Sequence, residues 1–146
     1  MIDRALFDLQ RVVESGGGTL EIDAALAPVA EAQDPESITP LLLLLRETDD
    51  DHGMWSIVHA AEQFDTPTYV SGFLTALPKV ATASPYWASI VTMRVLNSDA
   101  ARDELVRQLQ HSSGAAKQAA KQVCEKINER DTGFLPKTKP VLASLG

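Results

Sequence analysis

Residues 66–97 read TPTYVSGFLTALPKVATASPYWASIVTMRVLN, and this stretch contains the same helix-start signal twice. At Thr66-Pro67 and at Ser84-Pro85, a residue suited to the N-cap precedes a proline, whose φ already fits the first turn and whose missing N–H costs no hydrogen bond there. The stretch therefore predicts two consecutive helices, from Pro67 to about Ala83 and from Pro85 to about Leu96.

The flanking sequence predicts helices on both sides of this stretch. Asp34-Pro35 repeats the start signal and predicts a helix to about Arg46. Apolar residues at helical spacing predict five more: one ended by Gly16-Gly17-Gly18, one capped by Thr19, one over 53–64, one from Ser98 or Asp99, and one from Ser112 or Ser113. In the helix after Thr19 we expect Leu20, Ala24, Ala27 and Val29 to face the core, with Pro28 kinking or shortening it.

No segment shows a sustained strand alternation, so the predicted fold is all-α with seven to eight short helices. The helix pairs recur every ~35–45 residues, the spacing of helical repeats. This spacing favours a HEAT-like stack of antiparallel helix pairs, and an irregular helical bundle is the alternative. We expect residues 1–133 to form a single helical domain and residues 134–146 a C-terminal tail that packs on the domain or frays from it.

Composition points to a cytoplasmic protein. The N-terminus lacks the basic patch and apolar run of a secretory signal, and the apolar run Leu41–Leu45 falls far short of the ~20 residues that span a bilayer. The single cysteine, Cys124, suits a reducing compartment. We therefore expect no membrane partner.

Charge is distributed unevenly along the chain. Residues 1–65 contain 14 acidic and 3 basic side chains, whereas residues 66–146 contain 6 acidic and 10 basic ones. An acidic half repels phosphates, which argues against nucleic acid as a ligand and favours a basic protein partner.

Candidate chemical groups have simpler explanations. Gly16-Gly17-Gly18 lacks the following Lys-Ser/Thr of a phosphate loop and is better explained as a helix-ending turn. Asp49-Asp50-Asp51-His52 lacks the alternate spacing of a calcium loop, which leaves a solvated loop, a partner-binding patch or, least favoured, a metal site. His59 is expected to be buried or half-buried, and Cys124 to be an inert core thiol. We expect no metal, no cofactor and no catalytic residue.

Arg94 lies in the middle of an otherwise uncharged predicted helix. A cation among apolar residues needs an anionic partner. We expect it to bind Glu62 or Asp65 of a neighbouring helix, and direct contact with a ligand is the alternative.

Two blocks, Trp55–Asp65 and Ser84–Ser98, together with Tyr69, resemble the immunity protein 30 family of bacterial polymorphic toxin systems, which includes immunity proteins of contact-dependent growth inhibition. The resemblance covers roughly residues 40–110. It implies a cytoplasmic antidote that binds the C-terminal toxin domain delivered by a neighbouring cell, often a nuclease with a basic active site. Residues matching the family motif are expected to hold the fold: Trp87, Arg94 and Asn97.

The lead hypothesis is therefore a non-enzymatic immunity protein whose acidic side chains contact a basic toxin surface. Opposite charges speed the encounter of two proteins and exclude wrong partners. The predicted contact residues are Glu47, Asp49, Asp50, Asp51, Glu62 and Asp65. The alternative is a helical-repeat adaptor that holds two endogenous proteins together.

Overall fold

The computed structural model describes residues 2–145, in which helices are joined by turns and short loops and no strand occurs. The α-helices are α1 (Ile2–Glu14), α2 (Thr19–Ala32), α3 (Ile38–Leu42), α4 (His52–Ala61), α5 (Thr66–Ala83), α6 (Pro85–Leu96), α7 (Asp99–Leu109), α8 (Gly114–Arg130) and α9 (Leu135–Ser144). Single 3₁₀ turns precede α3 (Pro35–Ser37) and α9 (Thr132–Phe134).

The described residues thus form nine α-helices, more than the seven to eight predicted. The additional helix is α9, in the segment expected to be a tail. Pro136 and Pro140 interrupt the apolar pattern that would have predicted a helix here. Pro136, however, lies in the first turn of α9, where a missing N–H costs no hydrogen bond. Val141 and Thr138 are fully buried, and the Thr138 hydroxyl donates to Asn128 Oδ1 of α8 at 2.7 Å.

The proline start signals are confirmed, with adjustments. Asp34 caps its helix by accepting from the Glu36 N–H at 2.9 Å, but the first turn is 3₁₀ and α3 ends at Leu42 instead of near Arg46. The residue that caps α5 is Asp65, not Thr66. Leu41 and Leu42 are buried within α3, and Leu44 and Leu45 are buried in the segment that follows it. The chain thus leaves the helix after Leu42 while its leucines remain in the core.

The predicted inner face of α2 is confirmed at Val29 and wrong at Leu20, Ala24 and Ala27. Leu20 is 85% exposed, and the buried residues are Ile22, Leu26 and Val29. Leu20, Ala24 and Ala27 lie on one face of the helix, and two of these three residues are alanines. Ile22, Leu26 and Val29 lie on another face, and their larger side chains bury more apolar area there. Pro28 does not shorten the helix, which continues to Ala32.

Most of the close helix contacts join elements near one another in the chain. α1 packs on α2, α2 on α4, and α3 on both α4 and α5. α5 lies at the centre and packs against α3, α6, α7 and α8, while α9 closes the end against α7 and α8. The largest fully buried side chains include Trp87, Phe73, Ile57, Leu77 and Leu105.

Candidate functional site

The segment between α3 and α4 begins as a buried anchor and ends as an exposed turn. Leu44 and Leu45 are buried at 8% and 4% exposure, and the Arg46 carbonyl accepts a hydrogen bond from Trp87 Nε1 at 3.0 Å. Residues 47–51, which we call the acidic loop, follow at once and lead into the N-terminus of α4. The core thus fixes where the loop leaves the body of the protein.

Asp50 ties the acidic loop to two helices. Its carboxylate accepts from the His52 backbone N–H at 3.2 Å and from the Thr19 hydroxyl of α2 at 3.1 Å, and it lies 2.8 Å from His52 Nδ1. These bonds, first among them the one from the His52 backbone, lower the pKa of Asp50 below its usual value. A negative charge is also favoured at this helix N-terminus. The loop therefore has a defined shape and keeps this charge.

The other three loop acids have no such partner. The side chains of Glu47, Asp49 and Asp51 make no hydrogen bond or ion pair within residues 2–145. Glu47 and Asp49 are exposed, and Asp51 is partly so. Their carboxylates are available to an external cation.

Glu47 also lines a groove of about 420 Å³ at the ends of α6 and α8. Tyr86, which is 41% exposed, stands in this groove with its ring edge-on to the buried Trp87, at a centroid distance of 5.6 Å. Two bases and a second acid complete the lining: Lys126, Arg130 and Glu129. An exposed tyrosine backed by a buried tryptophan is the kind of residue that contributes strongly to protein interfaces.

The six predicted contact acids lie in two groups at opposite ends of α4. The acidic loop precedes the ten-residue helix, and Glu62 and Asp65 follow it, so the helix separates the two groups by about 15 Å along its axis. Asp65 is used internally, since its carboxylate accepts from the Thr68 hydroxyl at 2.8 Å and from the Thr68 N–H at 3.3 Å. The structure therefore brings together the four loop acids, but not all six.

Glu62 also has an internal partner, and it is the one expected from the sequence. Arg94 of α6 donates from Nε and from a terminal nitrogen to the two oxygens of Glu62, each at 2.7 Å. The prediction that Arg94 pairs with Glu62 or Asp65 is confirmed for Glu62.

Aromatic rings extend this pair into a cluster between α4 and α6. The Arg94 guanidinium lies 5.6 Å from the centroid of the Trp55 ring, and Trp55 meets Trp87 edge-to-face at 5.1 Å. Trp87 is fully buried, with its N–H donated to the Arg46 carbonyl. The cluster thus connects Glu62 to the base of the acidic loop.

Asn97, at the end of α6, connects this helix to α9. Its Oδ1 accepts from Lys137 Nζ of α9 at 2.6 Å, while Arg102 donates to the carbonyl of Leu96 at 2.7 Å. No local signal could have revealed the Lys137 contact, because the two residues are 40 positions apart.

The groups considered for other chemistry have structural explanations. Gly16, with φ of 79°, ends α1, and the Gly17 N–H returns to the Val12 carbonyl at 2.9 Å, so the predicted helix-ending turn is confirmed. Cys124 is fully buried, and burial raises the pKa of its thiol to about 12. His59, expected to be buried or half-buried, is exposed beside the Trp55 ring. Within residues 2–145, no three His, Cys, Asp or Glu side chains are grouped to hold a metal ion.

The fold and the acidic loop define a small all-helical protein that presents charge from a rigid scaffold. The Immunity protein 30 family model matches residues 10–105, from α1 into α7. The chain belongs to this family. Proteins of immunity families are generally not enzymes. No curated protein and no solved structure matches the chain. None of the helices in residues 2–145 combines the length and apolar character needed to cross a membrane.

Proposed function

We propose that this chain is an antidote that binds the C-terminal domain of one cognate toxin and blocks it, without catalysing a reaction. Its membership of an immunity family supports this role. The observation that carries the proposal is the acidic loop: its shape is fixed by Asp50, whereas Glu47, Asp49 and Asp51 have no internal partner. A preorganised anionic surface costs little entropy when it binds.

The proposed contact is centred on the acidic loop. Glu62 and Asp65 were predicted as contacts too, but Glu62 binds Arg94 and Asp65 caps α5. Removing either acid from its partner would cost stability, so the loop acids are better suited to direct binding. In this proposal Trp87, Arg94 and Asn97 hold the scaffold that positions the loop.

The proposed toxin is a nuclease with a basic active site, delivered by contact-dependent growth inhibition and met in the bacterial cytoplasm. Nucleases bind phosphates with Lys and Arg side chains, and an acidic inhibitor is complementary to that surface. The same negative charge makes nucleic acid an unfavourable partner for the chain itself.

We also propose that the helices form a HEAT-like stack. The support is the order of close contacts: α2 packs on α4, α3 on α5, α5 on α7 and α6 on α8, which is the pattern of neighbouring helix pairs. In such a stack the loops lie at the edges of the helix pairs, and the acidic loop joins α3 to α4.

Co-expression with a toxin tests the proposed function. The chain is produced in bacteria together with the toxin domain encoded beside its gene, and survival and co-purification are measured. We expect protection and a stable complex, with no protection against an unrelated toxin of the same activity. A chain that neither protects nor co-purifies would contradict the proposal.

An adaptor for two endogenous proteins is the second candidate. The opposite charges of the two halves favour it, since α8 and α9 carry six basic residues: Lys117, Lys121, Lys126, Arg130, Lys137 and Lys139. Gene neighbourhood separates the two candidates, because an antidote is encoded next to its toxin. Capture of two bacterial proteins, and of no toxin, would favour the adaptor.

A further inference from the structure

A second surface lies near the acidic loop. It is a groove of about 280 Å³ between α1 and the end of α3. Its lining is mostly apolar, with one acid and one amide: Leu6, Phe7, Pro40, Leu44, Asp3 and Gln10.

The groove exists because the pair of α1 and α2 contacts the pair of α3 and α4 mainly through α2. α2 packs closely on α4, whereas α1 and α3 are not among the closely packed pairs of the described residues. The helix at the end of a stack usually presents a polar outer face. Here α1 buries Leu9 and Val13 and still leaves Phe7 54% exposed. The Arg11 guanidinium lies 5.9 Å from the Phe7 ring centroid, on one face of the ring.

The groove lies close to the start of the acidic loop. Leu44 lines it, and Glu47 opens the loop three residues later, so their Cα atoms are at most about 11 Å apart. A protein interface of ordinary size, about 800 Å² on each partner, spans both features. One partner can therefore contact both at once.

Charge indicates what kind of partner fits. Residues 1–65, the half of the sequence that contains α1 to α4 and the acidic loop, hold 14 acidic and 3 basic side chains, and Asp3 lines the groove itself. Two of these bases are on α1, where Arg4 pairs with Asp8 and Arg11 lies over Phe7, so the net negative charge near the groove comes mainly from the acidic loop. An apolar groove beside an anionic loop is complementary to an apolar side chain projecting from a cationic surface.

We propose that this groove receives an apolar side chain of the cognate toxin, next to the basic surface that meets the acidic loop. The inference rests on the proposed function and adds a division of roles. The acidic loop sets the rate of association, and the groove, by removing apolar area from water, sets the rate of dissociation.

Four single variants test the groove. Phe7→Ala removes the exposed ring, and Gln10→Arg extends a bulky cation from an exposed helix position into the groove. Leu135→Ala on α9 and Gln118→Arg on α8 are the matched controls, since both residues are exposed and lie in the opposite half of the chain. Each variant is tested for thermal unfolding and for binding kinetics against the toxin domain encoded beside the gene.

We expect Phe7→Ala and Gln10→Arg to weaken binding about tenfold or more, mainly through faster dissociation, and the controls to stay within about twofold. Wild-type affinity in both groove variants would overturn the inference while leaving the proposed function intact. Absence of binding by the wild-type chain would overturn both. A dimer of this chain that Phe7→Ala dissociates would assign the groove to self-association instead. If Phe7→Ala fails to fold, Gln10→Arg decides, because Arg is a good helix former and adds no strain at an exposed site.

Discussion

Arg94 and Glu62 form a two-pronged ion pair: two hydrogen bonds of 2.7 Å join the guanidinium of α6 to the carboxylate that follows α4. The Arg94 guanidinium also lies over the Trp55 ring. Tyr69 is buried near this pair, and burial, with a smaller contribution from the Glu62 charge, raises the pKa of its hydroxyl. The pair thus links α4 and α6, which are not among the closely packed helix pairs of the described residues, through two long side chains.

Breaking the Arg94–Glu62 pair is expected to cost moderate stability. The Arg94 side chain is 40% exposed and that of Glu62 22%, so solvent screens part of the attraction. We expect Arg94→Lys and Glu62→Gln each to lower the free energy of unfolding by about 1 kcal/mol, measured by urea denaturation.

The control for this pair is Arg4→Lys, at the Arg4–Asp8 pair of α1, where the side chains are 80% and 52% exposed. That change is expected to stay within about 0.5 kcal/mol. Because Arg94 and Glu62 act together, the double variant should lose less than the sum of the single losses. Equal losses at both pairs would contradict the structural role of Arg94.

Gly72 allows α5 to approach α3 closely. A Cβ placed at this position would lie 2.5 Å from Ile38 Cγ2 and 2.8 Å from Ile38 Cβ. Alanine normally stabilises a helix by about 1 kcal/mol over glycine, but here it must push α3 away. We therefore expect Gly72→Ala to destabilise the protein by about 1–3 kcal/mol, measured by chemical denaturation.

Gly114 provides the matched control, because a Cβ there has no atom within 4 Å. Gly114→Ala, at the first residue of α8, should be neutral or slightly stabilising. Both substitutions replace a helical glycine with alanine, but the change at Gly72 is expected to destabilise the protein and the change at Gly114 is not. Stabilisation by both would show that α3 and α5 are not in contact at Gly72.

Cys124 should make the protein less stable at alkaline pH. Burial raises the pKa of the folded thiol to about 12, whereas an unfolded cysteine ionises near pH 8.5. The resulting stabilisation is complete below about pH 8.5 and is lost as the pH rises towards 12, at up to about 1.4 kcal/mol per pH unit. Urea denaturation from about pH 8 to about pH 10 measures this slope.

Cys124→Ala is the control, since it removes the titrating group and should flatten the slope over this range. The pKa of Tyr69 is also raised by burial, and its contribution is lost in the same direction above about pH 10. In the folded protein a thiol reagent should modify Cys124 much more slowly than in urea. Rapid labelling of the native protein would show that the thiol is accessible.

Charge reversal in the acidic loop should act on association. We expect Glu47→Lys/Asp49→Lys to slow binding to the toxin domain about tenfold or more at low salt, with a smaller effect on dissociation. Added salt should reduce the difference, because exposed charges are screened over about 10 Å at 0.1 M. Stopped-flow or surface-based kinetics at two salt concentrations provide the measurement.

The matched control is Asp103→Lys/Glu125→Lys, which reverses two exposed acids in the half of the chain that carries the excess of basic residues. It changes the net charge by the same amount at a different place. If both double variants slow association equally, net charge acts alone and the acidic loop has no special role.

Local chemistry made much of the fold predictable. Proline after a capping residue located the starts of α5 and α6 to within a residue, because both effects act within one turn. The end of α3 was not predictable in this way, since it depends on where four neighbouring leucines find space in the core. The helix at 135–144 was missed because its burial against α7 and α8 outweighs the poor helix propensity of Pro140.

The candidate site was predictable only in its parts. The acids could be named from composition, and the need of Arg94 for an anion pointed to Glu62. Their positions depend on long-range contacts: Thr19 reaches Asp50 across 31 residues, and Trp87 reaches the Arg46 carbonyl across 41. The spacing of residues along the sequence does not indicate which distant residues will be in contact. The groove beside Phe7 depends on how two helix pairs sit against each other, so it too requires the structure.

The early end of α3 has a consequence for how sequences of this family can diverge. Residues 47–51 lie outside any helix, and the core below them is closed by Leu44, Leu45 and the Trp87 hydrogen bond. Substitutions at Glu47, Asp49 and Asp51, which have no internal partner, are therefore expected to leave the scaffold intact, whereas Asp50 is bound to Thr19 and His52. Under the proposed function, these three positions are the ones that can differ between relatives with different toxin partners while the helices beneath them stay the same.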